Sequence, residues 1–168
     1  LGESIIITGI GISGSPRTPE LVAAVGAALV VVCLLWWSYF GWLKDALEHA
    51  FADADRRLVG TLARDAYSLA HFPLIGGIIG FAAAVELIVG HPADPAPLAV
   101  VVALAGGIVL FVGASAVAYW RFEHRWLRAR LVLLMALGVV LAIAGSMNVL
   151  PAWLLVAVAA VLFVLVIV

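Results

Sequence analysis

Long stretches without charge constrain this chain more than any other feature. A helix needs roughly 20 apolar residues to cross the hydrocarbon core of a bilayer. The 168 residues divide into one short and five fuller apolar segments, at 1–14, 20–43, 67–90, 98–120, 131–150 and 152–168. These runs lack the period-2 alternation of outer-membrane strands, and in lipid only a helix or a closed barrel satisfies the backbone internally. The expected fold is therefore all-α: one polytopic transmembrane bundle over residues 1–168, with five spans and a truncated first one. Composition points the same way, with 66% hydrophobic and 11% charged residues, against about half and about a quarter in soluble domains. A soluble enzyme, a nucleic-acid binder, a disordered tail and a collagen-like chain are excluded together. The implied partner is the lipid bilayer.

Both ends lie in apolar sequence. Glu3 stands inside the first run, without the basic n-region and small-residue cleavage site of a secretory signal, and the last run has no polar flank. These ends lead to the expectation of a segment from a longer polytopic protein.

Lys and Arg in the connections set orientation. The connection at 15–19 has one, 44–66 has four, 91–97 has none, 121–130 has four, and the turn at 150–151 has none. This alternation predicts that 44–66 and 121–130 face the cytoplasm and the other three connections face outside. Trp36, Trp37, Tyr39, Phe40 and Trp42 crowd the expected inner end of the second segment, Trp120 and Trp126 that of the fourth, and Trp153 the outer start of the sixth. This is the distribution of an interfacial aromatic belt. The location implied is that of a multi-pass membrane protein with 44–66 and 121–130 on the cytoplasmic side.

Within 44–66, Leu47, Phe51, Ala54, Leu58 and Leu62 recur at three- and four-residue steps while charged residues fill other positions. That spacing predicts a cytoplasmic amphipathic helix, packed on its neighbours or lying along the membrane.

Ionisable groups inside spans are costly and mark pathways or internal pairs. Glu3, His71 and Glu86 qualify. At 100° per residue, Arg64, Tyr67, Ser68, His71 and Glu86 fall in one helical sector together with Ile75, Ile78 and Ala82, with Gly76 and Gly80 on roughly the opposite side as a small-xxx-small packing pair. Pro73 is expected to kink this helix and shift the phase along it. His71 and Glu86 stand about 22 Å apart along the axis, too far to pair. Two readings stay open. Titratable groups at several depths suit a proton or cation path, since histidine as a residue type changes charge near neutrality. Alternatively, His71 bonds a backbone carbonyl or Tyr39, and the two glutamates are protonated or paired elsewhere.

Catalytic signatures fail. The four histidines lie in different segments without paired metal-ligand spacing, and HExxH, P-loop and GxSxG motifs do not occur. Cys33 lies in an apolar run with no basic neighbour to activate it. No metal, cofactor or enzymatic activity is indicated, and nothing specifies an oligomeric state.

Three motifs carry a resemblance. Gly2-Glu3-Ser4, the Trp36-Trp37-Ser38-Tyr39-Phe40 cluster, and Tyr67 with His71, Pro73 and Glu86 occur in an order that resembles the bacterial low temperature requirement A family. The resemblance implies about the C-terminal half of a larger membrane protein, whose missing N-terminal half is then a partner. It also marks Gly2, Glu3, Ser4, Trp36, Trp37, Tyr39, Tyr67, His71, Pro73 and Glu86 as positions of interest. Gly41 stands where the family often has an acidic residue, so no carboxylate role transfers there. Two functional classes arise as expectations: a transporter or channel with a polar path lined by Glu3, Ser4, Tyr67, Ser68, His71 and Glu86, or a non-transporting stress or scaffold component that engages lipid or a partner through 44–66.

Overall fold

The computed structural model describes residues 2, 5, 6, 9, 12, 13, 16–52, 54, 55, 57–123, 132, 136, 138–141, 143, 145 and 150–167. Segments 1–14 and 131–150 fall largely outside that set. Among the described residues the architecture is all-α, with one isolated bridge between Pro95 and Pro151 and no strand. The helices are α1 (Pro19–Ser38), α2 (Lys44–Ala52), α3 (Val59–Arg64), α4 (His71–Gly90), α5 (Leu98–Glu123) and α6 (Ala152–Ile167). A π turn, Tyr39–Leu43, continues α1 into α2, and a second, Asp65–Leu69, comes after α3. Three stretches are long and apolar enough to cross a membrane: Pro19–Gly41, His71–Gly90 and Leu98–Trp120. Ala152–Leu165 is apolar but shorter.

Local chemistry explains the helix starts. Thr18 caps α1, its Oγ1 accepting from the Leu21 amide at 3.2 Å. Pro19 then occupies the first turn, where no amide donor is required, and Glu20 complements the helix dipole. The N-terminus of α6 is satisfied by a different segment. Its Ala152 and Trp153 amides donate to the Asp94 and Pro92 carbonyls at 2.9 and 3.0 Å. The 91–97 connection and the 150–151 turn are thereby joined at one end of the bundle, and orphan donors of a helix start find partners.

The charged stretch 44–66 departs from the single helix that its periodicity predicts. It forms two short helices broken by a turn in which the Asp55 carboxylate accepts from the Arg57 amide at 3.0 Å and the Asp55 carbonyl from the Leu58 amide at 2.8 Å. An Asp side chain that bonds the backbone two residues on competes with helix continuation. The apolar stripe is split as a result. Leu47 is buried and Phe51 packs on the core, whereas Leu58 is 57% exposed.

Packing is organised in two pairs, α4 on α5 and α1 on α6. One face of α1, with Leu21, Ala24, Ala28, Val31 and Leu35, is buried in a core shared with Leu155, Ala159 and Phe163 of α6. The α4–α5 contact is closest at two glycines. A Cβ built on Gly77 would stand 2.6 Å from the Gly107 carbonyl oxygen and 2.8 Å from the Phe111 amide nitrogen. One on Gly107 would stand 2.6 Å from the Phe81 amide nitrogen and 2.7 Å from the Gly77 carbonyl oxygen. The backbones are in contact, an approach that only residues without a side chain allow.

Candidate functional site

The aromatic cluster at the end of α1 divides at the first π turn. Trp36, Trp37 and Phe40 are exposed, while Tyr39 is half-buried against the core. Tyr39 meets Phe40 edge-on, with ring centroids 4.9 Å apart, and Trp36 lies tilted by 33° against Phe40 at 5.1 Å. The outward rings form an exposed aromatic surface, and the phenol is left pointing to α4.

His71 is its partner. Tyr39 Oη and His71 Nε2 are joined by a hydrogen bond of 2.7 Å, with the rings edge-on and their centroids 5.6 Å apart. Both residues owe their positions to widened helical turns. Tyr39 opens the π turn 39–43, and His71 begins α4 just after the π turn 65–69, which is closed by the Ala70 amide donating to the Asp65 carbonyl at 3.0 Å. Each π turn adds a residue to its helical turn and re-aims the side chains beyond it, a device frequent at functional sites. Pro73 falls in the first turn of α4. It cannot donate to the Leu69 carbonyl four residues back, and the chain reaches α4 through a widened turn instead of a regular helix.

A phenol bonded to an imidazole can reverse. Neutral histidine with its proton on Nδ1 accepts the phenolic O–H at Nε2, whereas an imidazolium donates Nε2–H to the phenolic oxygen. The pair can thus hold or hand on a proton without changing its spacing.

The remaining expected residues are dispersed. Ser68 is exposed on the second π turn, Tyr67 lies on that same turn, and Glu86 is exposed near the far end of α4. Between His71 and Glu86 the sector mixes environments: Ile75 is exposed, Ile78 half-buried and Ala82 buried. Glu3 and Ser4 lie outside the described residues, and Gly2 is helical and exposed. A Cβ on Gly76 would meet Leu110 at 3.4 Å, and one on Gly80 the Ala103 carbonyl oxygen at 3.5 Å. The closest approach is between Gly77 and Gly107, and Gly80 lies at the same crossing, a Cβ on Gly107 standing 3.2 Å from the Gly80 carbonyl carbon. The adjacent glycines 76–77 and 106–107 were the available signal, but sequence alone does not say which of each pair faces the neighbour.

A cavity of about 500 Å³ opens between the second π turn with the start of α4 and the last turns of α5. Its lining is mostly apolar, with Leu69, Pro73, Ala114 and Val117, and includes Asp65 and Trp120. Asp65 is held there by Arg64, whose Nε and Nη2 donate to Oδ1 at 3.1 and 2.9 Å.

Residues 1–167 match the family described as bacterial low temperature requirement A protein (LtrA). The chain belongs to the LtrA family. A curated relative, an uncharacterized protein of Rhizobium meliloti (strain 1021), is 27% identical over 116 residues. That match covers 68% of this chain and 28% of the relative. No solved structure matches the chain. LtrA membership and the three long apolar helices together mark a membrane protein, and the Tyr39–His71 pair belongs to two of the three motifs through which the sequence resembles LtrA.

Proposed function

We propose that this LtrA chain is part of a multi-pass protein of the bacterial cytoplasmic membrane and lines a polar path for protons, ions or a small solute. The observation that carries the reading is the 2.7 Å bond between Tyr39 Oη and His71 Nε2, which links two apolar helices through groups able to exchange a proton. A proton arriving at Oη sends the phenolic hydrogen to Nε2, and the resulting imidazolium releases Nδ1–H on its far side. Glu3, Ser4, Tyr67, Ser68 and Glu86 extend the path at other depths. Proton or ion flux through the full-length protein in liposomes is the test. His71→Ala and Glu3→Gln are expected to abolish it, and a demonstrated flux that survives both substitutions removes the pathway.

In this proposal segments 131–150 and 152–168 also cross the bilayer and 1–14 is part of a truncated first span, with 44–66 and 121–130 in the cytoplasm. The backbone bonds between 91–97 and the start of α6 support a common side for those two connections. In a Cys33→Ser background, cysteines at Asp55 and Glu123 are expected to label only from the cytoplasm and one at Asp94 only from outside. Labelling of Asp94 from the cytoplasm would overturn the orientation.

The exposed Leu58 favours a second reading, a non-transporting stress or scaffold component docking through 44–66. That reading expects Phe51→Asp with Leu58→Asp to abolish function in the cold and His71→Ala to leave it intact; the reverse pattern sinks it.

A further inference from the structure

The cavity beside the second π turn has no part in the Tyr39–His71 pair, and its chemistry is that of a different ligand. Its volume of about 500 Å³ falls within the roughly 300–1,000 Å³ typical of small-molecule sites. Leu69 and Pro73 from the second π turn and α4, and Ala114 and Val117 from α5, offer aliphatic surface, while Asp65 and Trp120 are the polar members of the lining. Asp65 is only 16% exposed and holds Arg64, which is 63% exposed. Both Arg64 bonds to Asp65 use Nε and Nη2, so among the described residues Nη1 has no partner. A guanidinium anchored by a carboxylate on one edge, with donors left on the other, is suited to a phosphate oxygen. Trp120 in the same lining is a residue type that settles at headgroup level.

We infer that this cavity is a phospholipid site, with one acyl chain in the slot between α4 and α5 and the phosphate on Arg64. The assignment commits to a lipid drawn from the bilayer, because an apolar slot beside a fixed cation matches a molecule with a hydrocarbon chain and an anionic head. It stands whether or not the chain conducts protons.

The test is quenching of tryptophan fluorescence by brominated-chain phosphatidylglycerol in liposomes holding the full-length protein. The contribution of Trp120 is obtained as the difference between wild type and Trp120→Phe, and the exposed Trp36 and Trp37 provide, in the same way, the reference for lipid contacted at random. Trp120 is expected to reach half-maximal quenching at a severalfold lower mole fraction of brominated lipid than Trp36 and Trp37. Equal mole fractions overturn the site without any cavity-filling variant. Ala114→Phe is expected to bring Trp120 back to the reference behaviour, and Val117→Phe repeats the test should the first variant fail to fold. Brominated diacylglycerol, which lacks phosphate, separates the chain from the head. Wild type is expected to favour phosphatidylglycerol over it, and Arg64→Gln to lose that preference. A preference unchanged in Arg64→Gln overturns the phosphate contact.

Discussion

Replacing Gly77 by alanine is expected to destabilise the bundle by about 1–3 kcal/mol, the usual cost of forcing an extra methyl into a packed interior, and Gly107→Ala by a similar amount. The magnitude is set by the atoms that the methyl meets. At Gly77 it would lie 2.6 Å from a carbonyl oxygen and 2.8 Å from an amide nitrogen, and at Gly107 2.6 Å from an amide nitrogen and 2.7 Å from a carbonyl oxygen. Backbone atoms cannot swing aside as a side chain can, so the only relief is separation of α4 from α5. That separation loosens Phe81, Phe111 and Ile108, all buried around the crossing. Gly106 and Gly90 are the controls, because a Cβ on either meets nothing within 4 Å. Alanine at those positions is expected to leave stability unchanged or raise it by up to about 1 kcal/mol, the helix-forming advantage of alanine over glycine at a site with room for it. Thermal melting in detergent, monitored by helical circular dichroism, measures all four. Equal melting of Gly107→Ala and Gly106→Ala would show that the helices do not touch at this crossing. The double variant Gly77→Ala/Gly107→Ala is expected to cost less than the sum of the two, since one separation relieves both clashes.

Tyr39→Phe and His71→Gln are expected to separate conduction from packing. Tyr39→Phe keeps the edge-on contact with Phe40 and removes only Oη, leaving the His71 ring nitrogen without that partner; the loss of one such bond costs about 1 kcal/mol. His71→Gln keeps a side chain able to hydrogen-bond the phenol but removes the group that takes up and releases a proton. In the relay reading both variants lower proton flux by on the order of 10²-fold, at the lower end of what positioned proton transfer contributes, while His71→Gln melts near wild type. Flux in liposomes and melting of the same preparations decide the matter. Loss of stability in Tyr39→Phe with flux retained would make the pair a structural clamp between α1 and α4.

Much of this was readable from residue order. The runs that exclude charge had to be helices, because lipid offers backbone amides no partners, and the stretches Pro19–Gly41, His71–Gly90 and Leu98–Trp120 match the apolar segments to within a few residues, the largest difference being at the start of 67–90. That start was unreadable for a local reason. Pro73 announces an interruption, but whether the chain answers with a kink or a π turn depends on how Asp65 to Ala70 pack. The break inside 44–66 was similarly hidden. Its apolar spacing is helical, and one Asp side chain bonding to the Arg57 amide outweighs it.

The partner of His71 marks the boundary between sequence and tertiary structure. Sequence alone determined that a titratable ring sits in an apolar helix and must be satisfied there, and it offered Tyr39 or a backbone carbonyl without choosing. Hydrophobic patterning says which residues avoid water, but inside a membrane nearly every residue does, so the pattern carries little information about which face meets which helix. That choice was made by backbone contact at Gly77 and Gly107, which seats α4 on α5, and by two widened turns that aim Tyr39 and His71 at each other across 2.7 Å.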